Sequence, residues 1–389
     1  MAYRDLGCFG SPSNRTPAID GLARDGVRLT QYCVAHVDCS PSRAGLLTGR
    51  QPWRSGIVDV LRSDSPIGLP GEEITMAEAL RGLGYATMAI GKWHLGDRPE
   101  SLPTNHGFDG NLGLPYSMDM APTILIRDEE IVEELPGDAV ADLTGRYTDE
   151  ATRFLEEDRE GPFFLYLSHT LPHPPLNIPG RFRGDGRPAY NDAIEYLDAE
   201  NGRLLGAIDR LGLADSTLIV FTSDNGPMAA EGDAGPLRGR IRDSYEGGLR
   251  VPFVARFPGR IPPGRVVDEP VVAFDLFPTL VTLAGGTPPD DRELDGQDVW
   301  SLLDGSGTVD RTSPFVWAYD DEVTAVRSGR WKLLLGNQDV RFPSAMRFDV
   351  EADPGEANDL AADHPDVVAG LRGFAEEYER QLPVVWTLR

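Results

Sequence analysis

The chain has 389 residues, 40% of them hydrophobic, and a formal net charge of −25. This is the balance of a globular chain long enough for one large α/β domain plus a small appendage, and it excludes a disordered one. So acidic a chain argues against a nucleic-acid partner, which needs a basic stripe, yet a local cluster of cations can still hold an anionic substrate.

The three cysteines, Cys8, Cys33 and Cys39, make no disulfide framework, so Cys8 and Cys33 read as core residues. No apolar run approaches the length of a membrane span, and no secretory-leader pattern is visible.

In chain order, Met1 to Gly10 has no strand ahead of it. Thr16-Pro17 predicts a helix start, with Ile19, Leu22 and Ala23 inward and an end by Gly26, and Val27 to Val34 reads as extended. The next stretch, Cys39-Ser40-Pro41-Ser42-Arg43-Ala44-Gly45-Leu46-Leu47-Thr48-Gly49-Arg50, organises the rest. Pro41 favours a helix start, Ser42 can cap it, Ala44, Leu46 and Leu47 carry an apolar face, and Gly49 stops it. Cys39 is thereby expected just ahead of a helix N-terminus, where unpaired N–H groups favour an anion, and Arg43 adds a planar fork of donors. Residue chemistry alone leaves two readings: a reactive thiol aimed at an anion cradle, or a small buried cysteine beside a structural arginine.

Met76 to Leu83 reads as a helix and Tyr85 to Ile90 as a buried strand. That strand delivers Gly91-Lys92-Trp93-His94-Leu95-Gly96 at its C-terminal end, where open α/β sheets place their sites. Lys92 and His94 point to one face of an extended segment; the plainer alternative is a surface lysine and a hydrogen-bonded core histidine. Ser117 lies in a Gly/Pro-punctuated loop, where an exposed serine is commonplace. Ile124 to Glu134 reads as a hairpin with Asp128-Glu129 on a solvated face, and Thr148 to Glu157 as an amphipathic helix.

A second buried strand, Phe163 to Leu167, ends in Ser168-His169-Thr170-Leu171-Pro172-His173-Pro174. His169 and His173 there suit acid/base or anion contacts, or are ordinary turn histidines. A helix from Ile194 to Leu211 precedes a third strand, Thr217 to Phe221, which ends in Thr222-Ser223-Asp224-Asn225-Gly226. Adjacent Asp and Asn oxygens at a strand end suit a hard cation such as calcium, and equally an Asp-Asn-Gly turn. Val251 to Phe257 reads as a strand and Phe274 to Leu283 as a helix. From about Leu294 the texture changes to a short helix, Val299 to Leu303. Four short segments then alternate like a small antiparallel sheet (Phe315–Ala318, Thr324–Val326, Trp331–Leu335 and Met346–Val350), and a last helix runs from about Pro365 to Gln381.

Cys-x-Pro-Ser-Arg followed by Leu-Thr-Gly-Arg resembles the signature of the formylglycine-dependent sulfatases of the alkaline phosphatase superfamily. Gly91 to Gly96, Pro115-Tyr116-Ser117, Pro172-His173, Asp224-Asn225, Tyr245-Glu246-Gly247-Gly248 and Phe348-Asp349-Val350 extend the resemblance over nearly the whole chain. It implies a sulfuric ester hydrolase acting on a small-molecule or saccharide sulfate ester. The implied fold is α/β, a large mostly parallel mixed sheet sandwiched by helices over residues 1–305, with a small antiparallel sheet plus helix over 306–389. Cys39 would be oxidised to formylglycine (3-oxoalanine) by a formylglycine-generating enzyme or sulfatase maturase, its hydrate serving as nucleophile. By the same resemblance Arg43 holds the hydrate, Lys92 contacts the sulfate, His94 assists the hydroxyl, and His173 faces the leaving group. Ser117 and Arg240 become substrate contacts. Asp224, Asn225 and the Cys39 derivative become ligands to Ca2+, with Mg2+ or Mn2+ as alternatives.

Two departures stand out. The family's usual sulfate-binding lysine is replaced by Ile241, leaving Arg240 or Arg242 to supply the charge. The apolar strand ending in two metal-binding aspartates, which in the family precedes a segment like Tyr3 to Gly10, is absent, and the expectation is a clipped or misassigned start. These departures keep open a formylglycine-dependent phosphonate or phosphate ester hydrolase, and a catalytically impaired relative.

Overall fold

The computed structural model describes residues 1–382 except 185, 229–230, 312, 321 and 338–339. Its strands, in chain order, are β1 (Val27–Leu29), β2 (Tyr32–Cys33), β3 (Ala86–Lys92), β4 (Gly110–Leu114), β5 (Ile124–Arg127), β6 (Glu130–Glu134), β7 (Phe163–Ser168) and β8 (Ile219–Thr222). They continue with β9 (Phe253–Arg256), β10 (Arg265–Val267), β11 (Val271–Val272), β12 (Phe315–Tyr319), β13 (Glu322–Ser328), β14 (Trp331–Asn337) and β15 (Val340–Asp349). The α-helices are α1 (Pro17–Arg24), α2 (Cys39–Thr48), α3 (Met76–Gly82), α4 (Leu143–Glu156), α5 (Ala189–Arg210), α6 (Glu246–Leu249), α7 (Leu276–Leu283), α8 (Trp300–Asp304) and α9 (Pro365–Glu379).

The α/β class and the small C-terminal antiparallel sheet are as expected, but the expected single large sheet is several. One sheet has the order β6-β5-β4-β3-β7, a second β10-β1-β9-β8, and β11 pairs with β2. In these three sheets parallel and antiparallel pairings are equally common, because the β5–β6 hairpin and the central position of β9 add antiparallel neighbours. Within the first, β3 runs parallel to both β4 and β7, with Lys92 opposite Leu114 and Gly91 opposite Ser168. Gly91 has a φ of 102°, and a Cβ there would sit 1.9 Å from the Ser168 carbonyl oxygen. Only glycine lets β3 approach β7 so closely at the point where the chain turns into the site. Among the described residues β7 pairs only with β3 and β8 only with β9, and both are half-buried along their length.

The main core packs α2, α3 and α7 around β1, β9 and the first turns of the C-terminal sheet, with Leu47, Phe253, Phe277 and Trp317 among its most buried side chains. A second core lies under α4 and α5 against β3, β4 and β7. The sheet β12-β13-β14-β15 is antiparallel throughout and buries Val323, Val326 and Leu333 against Leu371 and Ala375 of α9. Among the described residues no helix is long and apolar enough to cross a membrane.

Candidate active site at the start of helix α2

Helix α2 begins two residues earlier than Pro41 suggested. Asp38, with extended φ and ψ, takes the N-cap position and Cys39 is the first helical residue. Pro41 falls within the first turn, where its missing N–H costs nothing. Gly49 ends the helix in the left-handed conformation at a φ of 71°. Nearly the whole helix is buried, Cys39 included, and the Asn225 amide donates to its Sγ at 3.2 Å.

Arg43 is the hub of the site. Its Nε and Nη2 donate to Asp224 Oδ2 at 2.9 and 2.7 Å, and its Nη1 donates to the Lys92 carbonyl at 2.5 Å and to Ser168 Oγ. One guanidinium thus ties α2 to the ends of β3, β7 and β8. Burial opposes charge on Asp224, but Arg43 and then Lys92 outweigh it and hold the carboxyl well below its ordinary range. Arg43 remains a cation for the converse reason: burial disfavours it, and Asp224 more than compensates.

Lys92 is buried at the end of β3, and its ammonium has no hydrogen bond or ion pair among the described residues. An unspent buried cation is an anion-binding group in waiting. His94 is held with a φ of 62°, a sparsely populated conformation for a side chain of its size. Its Nε2 lies 2.8 Å from the Leu61 carbonyl, which fixes the proton on Nε2 and leaves the buried, unpartnered Nδ1 as an acceptor. Burial, followed by Lys92 and Arg43, pushes its pKa well below 6.5, so the ring is neutral. The Leu61 N–H also donates to Ser40 Oγ at 3.1 Å, joining α2 to His94.

His173 points its Nδ1 at the Pro174 carbonyl, 2.5 Å away, leaving Nε2 free; burial and then Lys92 lower its pKa. His169 has neither ring nitrogen partnered, packs its ring 6.3 Å from that of Tyr147, and is pushed down to about 4 by burial alone. Ser117 is buried with an unpartnered hydroxyl instead of exposed on its loop. Arg240 is exposed and among the described residues is engaged through its backbone alone, its N–H donating to Asp243 Oδ2 and its carbonyl accepting the Asp243 N–H. Arg242 instead reaches the start of α2, where its Nε donates to Asp38 Oδ1 at 3.2 Å. Sequence reasoning missed Ser168, the Leu61 backbone and the Arg242–Asp38 pair. Ser168 had a signal, since it closes a buried strand beside His169.

The donors fall short of a divalent-cation site. Asp224 Oδ2 is taken by Arg43, and among the described residues no group of three or more His, Cys, Asp or Glu side chains has the arrangement to hold a metal. Asp224 Oδ1, Asn225 and a Cys39 derivative are too few oxygens for calcium, which takes about six to eight.

Comparison with known proteins agrees with this architecture. A family profile described as Sulfatase matches residues 1–286, and one described as N-sulphoglucosamine sulphohydrolase, C-terminal, matches residues 240–375. Human arylsulfatase A is 38% identical, covering 95% of this chain and 79% of that protein. N-acetylgalactosamine-6-sulfatase from the dog, Canis lupus familiaris, is 36% identical over 100% of this chain and 78% of the relative. The crystal structure of Ps i-CgsB in complex with k-i-k-neocarrahexaose superposes with a TM-score of 0.89 at 28% identity, covering 98% of this chain and 91% of that one. The chain belongs to the sulfatase family, and its enzymatic class is sulfate-ester hydrolysis.

Proposed function

We propose that Cys39, matured to formylglycine, is the nucleophile of this sulfatase, and that residues 1–305 carry the chemistry while 306–389 form a subdomain that supports it. The observation carrying this reading is the placement of Cys39 Sγ at the first residue of α2, 3.2 Å from the Asn225 amide. Helix N–H groups and the Asn225 donor favour negative charge on whatever atom replaces that sulfur.

In the first step one hydroxyl oxygen of the aldehyde hydrate attacks sulfur, and the bond from sulfur to the ester oxygen breaks. Lys92 neutralises the non-bridging oxygens, and Arg43 secures the first turn of α2. Asp224, held ionised against burial by Arg43 and Lys92 and bonded to Arg43 through Oδ2, accepts the attacking hydroxyl's proton on Oδ1 as the oxygen–sulfur bond forms and then releases it to solvent. Protonated His173 gives its Nε2 proton to the departing oxygen. In the second step His94 Nδ1 takes the proton of the remaining hydroxyl, the carbonyl re-forms, and the bond from carbon to the sulfate oxygen breaks. Water then rehydrates the aldehyde. Ser117 and Arg240 remain proposed substrate contacts.

A formylglycine-generating enzyme or maturase is the implied partner. The family resemblance implies Ca2+ as well, with Asp224 and Asn225 as donors, but the described donor set does not fit a resident ion and no step above runs through one. A sugar sulfate is the favoured substrate class, supported by the similarity to a relative named N-acetylgalactosamine-6-sulfatase.

The test is peptide mass mapping of the Cys39 peptide from active protein, combined with parallel turnover of an aryl sulfate and an aryl phosphonate. An aldehyde at residue 39 and preferred sulfate cleavage are expected. Active protein with a wholly unmodified thiol would remove Cys39 from the mechanism; preferred phosphonate cleavage would favour the alternative that Ile241, standing where the family has lysine, keeps in play.

A further inference from the structure

A second cluster of polar side chains converges beside the start of α2, and the mechanism uses none of it. Arg242, also at a left-handed φ of 71°, donates to Asp38 Oδ1, and Asp38 is the residue before Cys39. The Tyr319 hydroxyl, at the end of β12, donates to Asp59 Oδ1 at 3.3 Å. His36 Nδ1 accepts the Asp38 N–H at 3.0 Å, and its ring lies 5.5 Å from that of Tyr319 at 31°. These contacts join the four side chains and His36 into one cluster, and burial together with the Asp38 and Asp59 carboxylates pushes the Tyr319 phenol far up.

The cluster has a buried floor and an open rim. Asp38 and His36 are buried, whereas Asp59 is exposed and the Arg242 side chain is 52% exposed. Asp59 Oδ1 is used by Tyr319 and by the Val60 N–H, and Oδ2 has no hydrogen bond among the described residues. Arg242 spends Nε on Asp38 and keeps its terminal N–H groups. The loop bearing Asp59 continues to Leu61, whose backbone bonds Ser40 and His94, so the rim and the reaction centre are two residues apart along one strap.

We infer that Arg242, Asp59 and Tyr319 form a leaving-group subsite that recognises the hydroxyls of a neutral sugar ring. This rests on the sulfatase reading above and narrows its substrate class. The chemistry of the rim sets the preference. A guanidinium bonded to Asp38 and a carboxylate bonded to Tyr319, linked through the Asp38–His36–Tyr319 contacts, offer a donor and an acceptor to ring hydroxyls. Two carboxylates against a single guanidinium repel a second sulfate or a carboxylate on the same ring. Lys92, buried at the end of β3 with its ammonium unbonded among the described residues, is left for the scissile sulfate. The C-terminal sheet takes part directly, since Tyr319 belongs to it and Ser244, on the Arg242 loop, is fixed to Thr324 Oγ1 at 2.8 Å.

The experiment is calorimetric binding of a monosulfated hexose, the same hexose carrying a second sulfate, and p-nitrophenyl sulfate to Cys39→Ala protein, alone and combined with Asp59→Ala, Tyr319→Phe or Arg242→Ala. The same ester panel is assayed for turnover on the Cys39 enzyme. Loss of a charge-assisted hydrogen bond predicts about tenfold weaker binding of the monosulfated hexose to the Asp59→Ala and Arg242→Ala proteins, with less than about a twofold change for p-nitrophenyl sulfate. The disulfated hexose should bind more weakly than the monosulfated one, and Asp59→Asn should narrow that gap. Equal losses for the sugar and aryl esters, no loss for either, or no sugar binding by the parent would overturn the subsite. Aryl sulfate turnover with no sugar binding refutes the subsite and leaves the sulfatase reading intact. Sugar binding that follows these variants while no ester is cleaved supports the subsite and counts against the nucleophile assignment.

Discussion

Two buried clusters of charge hold this molecule together, and they are spent differently. Around α2, Arg43 is fully engaged, but Lys92, His94 Nδ1, the Ser117 hydroxyl and the Cys39 thiol retain capacity to bond something else. Where α6 meets the C-terminal sheet, Lys332 Nζ bridges Glu246 and Glu356 at 3.0 Å each, Arg327 and Arg250 lie 3.6 and 3.5 Å from the same Glu246, and Glu356 accepts the Glu246 N–H at 2.7 Å. Lys332, Arg327 and Glu246 are entirely enclosed. Burial, then the neighbouring Glu246 charge acting against Lys332, pushes Glu356 up to about 7, while the three cations hold Glu246 ionised against its own burial. The lesson is that burial of charge does not itself mark a site: in the second cluster each charge faces an opposite one, whereas the Lys92 ammonium has no ion pair among the described residues.

Substitutions should separate the two clusters, the largest effect first. Cys39→Ala should lower kcat for an aryl sulfate by more than about 10³-fold with the midpoint of urea unfolding almost unmoved, as expected when a nucleophile is removed. Retained turnover would dissolve the contrast at its active end. Lys332→Met should do the reverse: it strands the buried Glu356 carboxylate and takes one of three cations from Glu246, and should cost about 3–5 kcal/mol of stability by urea titration, with kcat of the surviving folded protein within a few-fold of the parent. A marginal loss of stability would mean that this cluster is not the structural one.

Lys92→Met is the sharper comparison, because it too removes a buried lysine. The Lys92 ammonium has no hydrogen bond or ion pair among the described residues, and Asp224, the carboxylate that feels its charge, keeps Arg43, so the loss of Lys92 should cost little stability while turnover falls by about 10²–10³-fold. His173→Ala should depend on the ester. Cleavage of an alkyl sulfate, whose alkoxide needs a proton, should fall by about 10²-fold, and that of a nitrophenyl sulfate by far less. Because the folded pKa of His173 is lowered, this contribution should fade as pH rises through a value below 6.5.

The smallest effect concerns acid stability. His106 and His169 are each pushed down to about 4 by burial, so between pH 6.5 and 4 the unfolded chain binds protons that the folded one refuses. Their contribution is fully present above pH 6.5 and is lost as pH falls toward 4, at up to about 1.4 kcal/mol per pH unit for each ring. Removing either ring as His106→Gln or His169→Gln should flatten that limb in a pH series of urea titrations; an unchanged slope would mean that both rings are solvated.

What could be read from the chain was whatever lies within one element. A helix just after Cys39, the delivery of Lys92 and His94 by β3, and Asp224-Asn225 after β8 are local patterns of strand, cap and turn. What escaped was long-range. Arg43 and Asp224 are 181 residues apart, and nothing in either neighbourhood announces the other. Arg242 and Asp38 meet only because the Arg238–Ser244 loop folds back onto the start of α2, with the Arg242 N–H on the Val37 carbonyl at 3.3 Å. The helix start was misplaced because Pro41 is equally content anywhere in a first turn, and the sheet was drawn too uniform because edge pairings such as β5 with β6 depend on hairpin register. Ser117 looked like a surface residue because its loop is rich in Gly and Pro, and packing of that loop against the sheet edge enclosed it.

The reach of the Arg43 guanidinium has a consequence for how the enzyme fails. Three strand termini that carry separate chemical duties share one rigid planar clasp with the nucleophile's helix, and Gly91 lets two of those strands lie flush. Spacing within the sheet and alignment of the reacting groups are therefore one coordinate. Any slackening of the strands blunts the chemistry before the protein loses its shape.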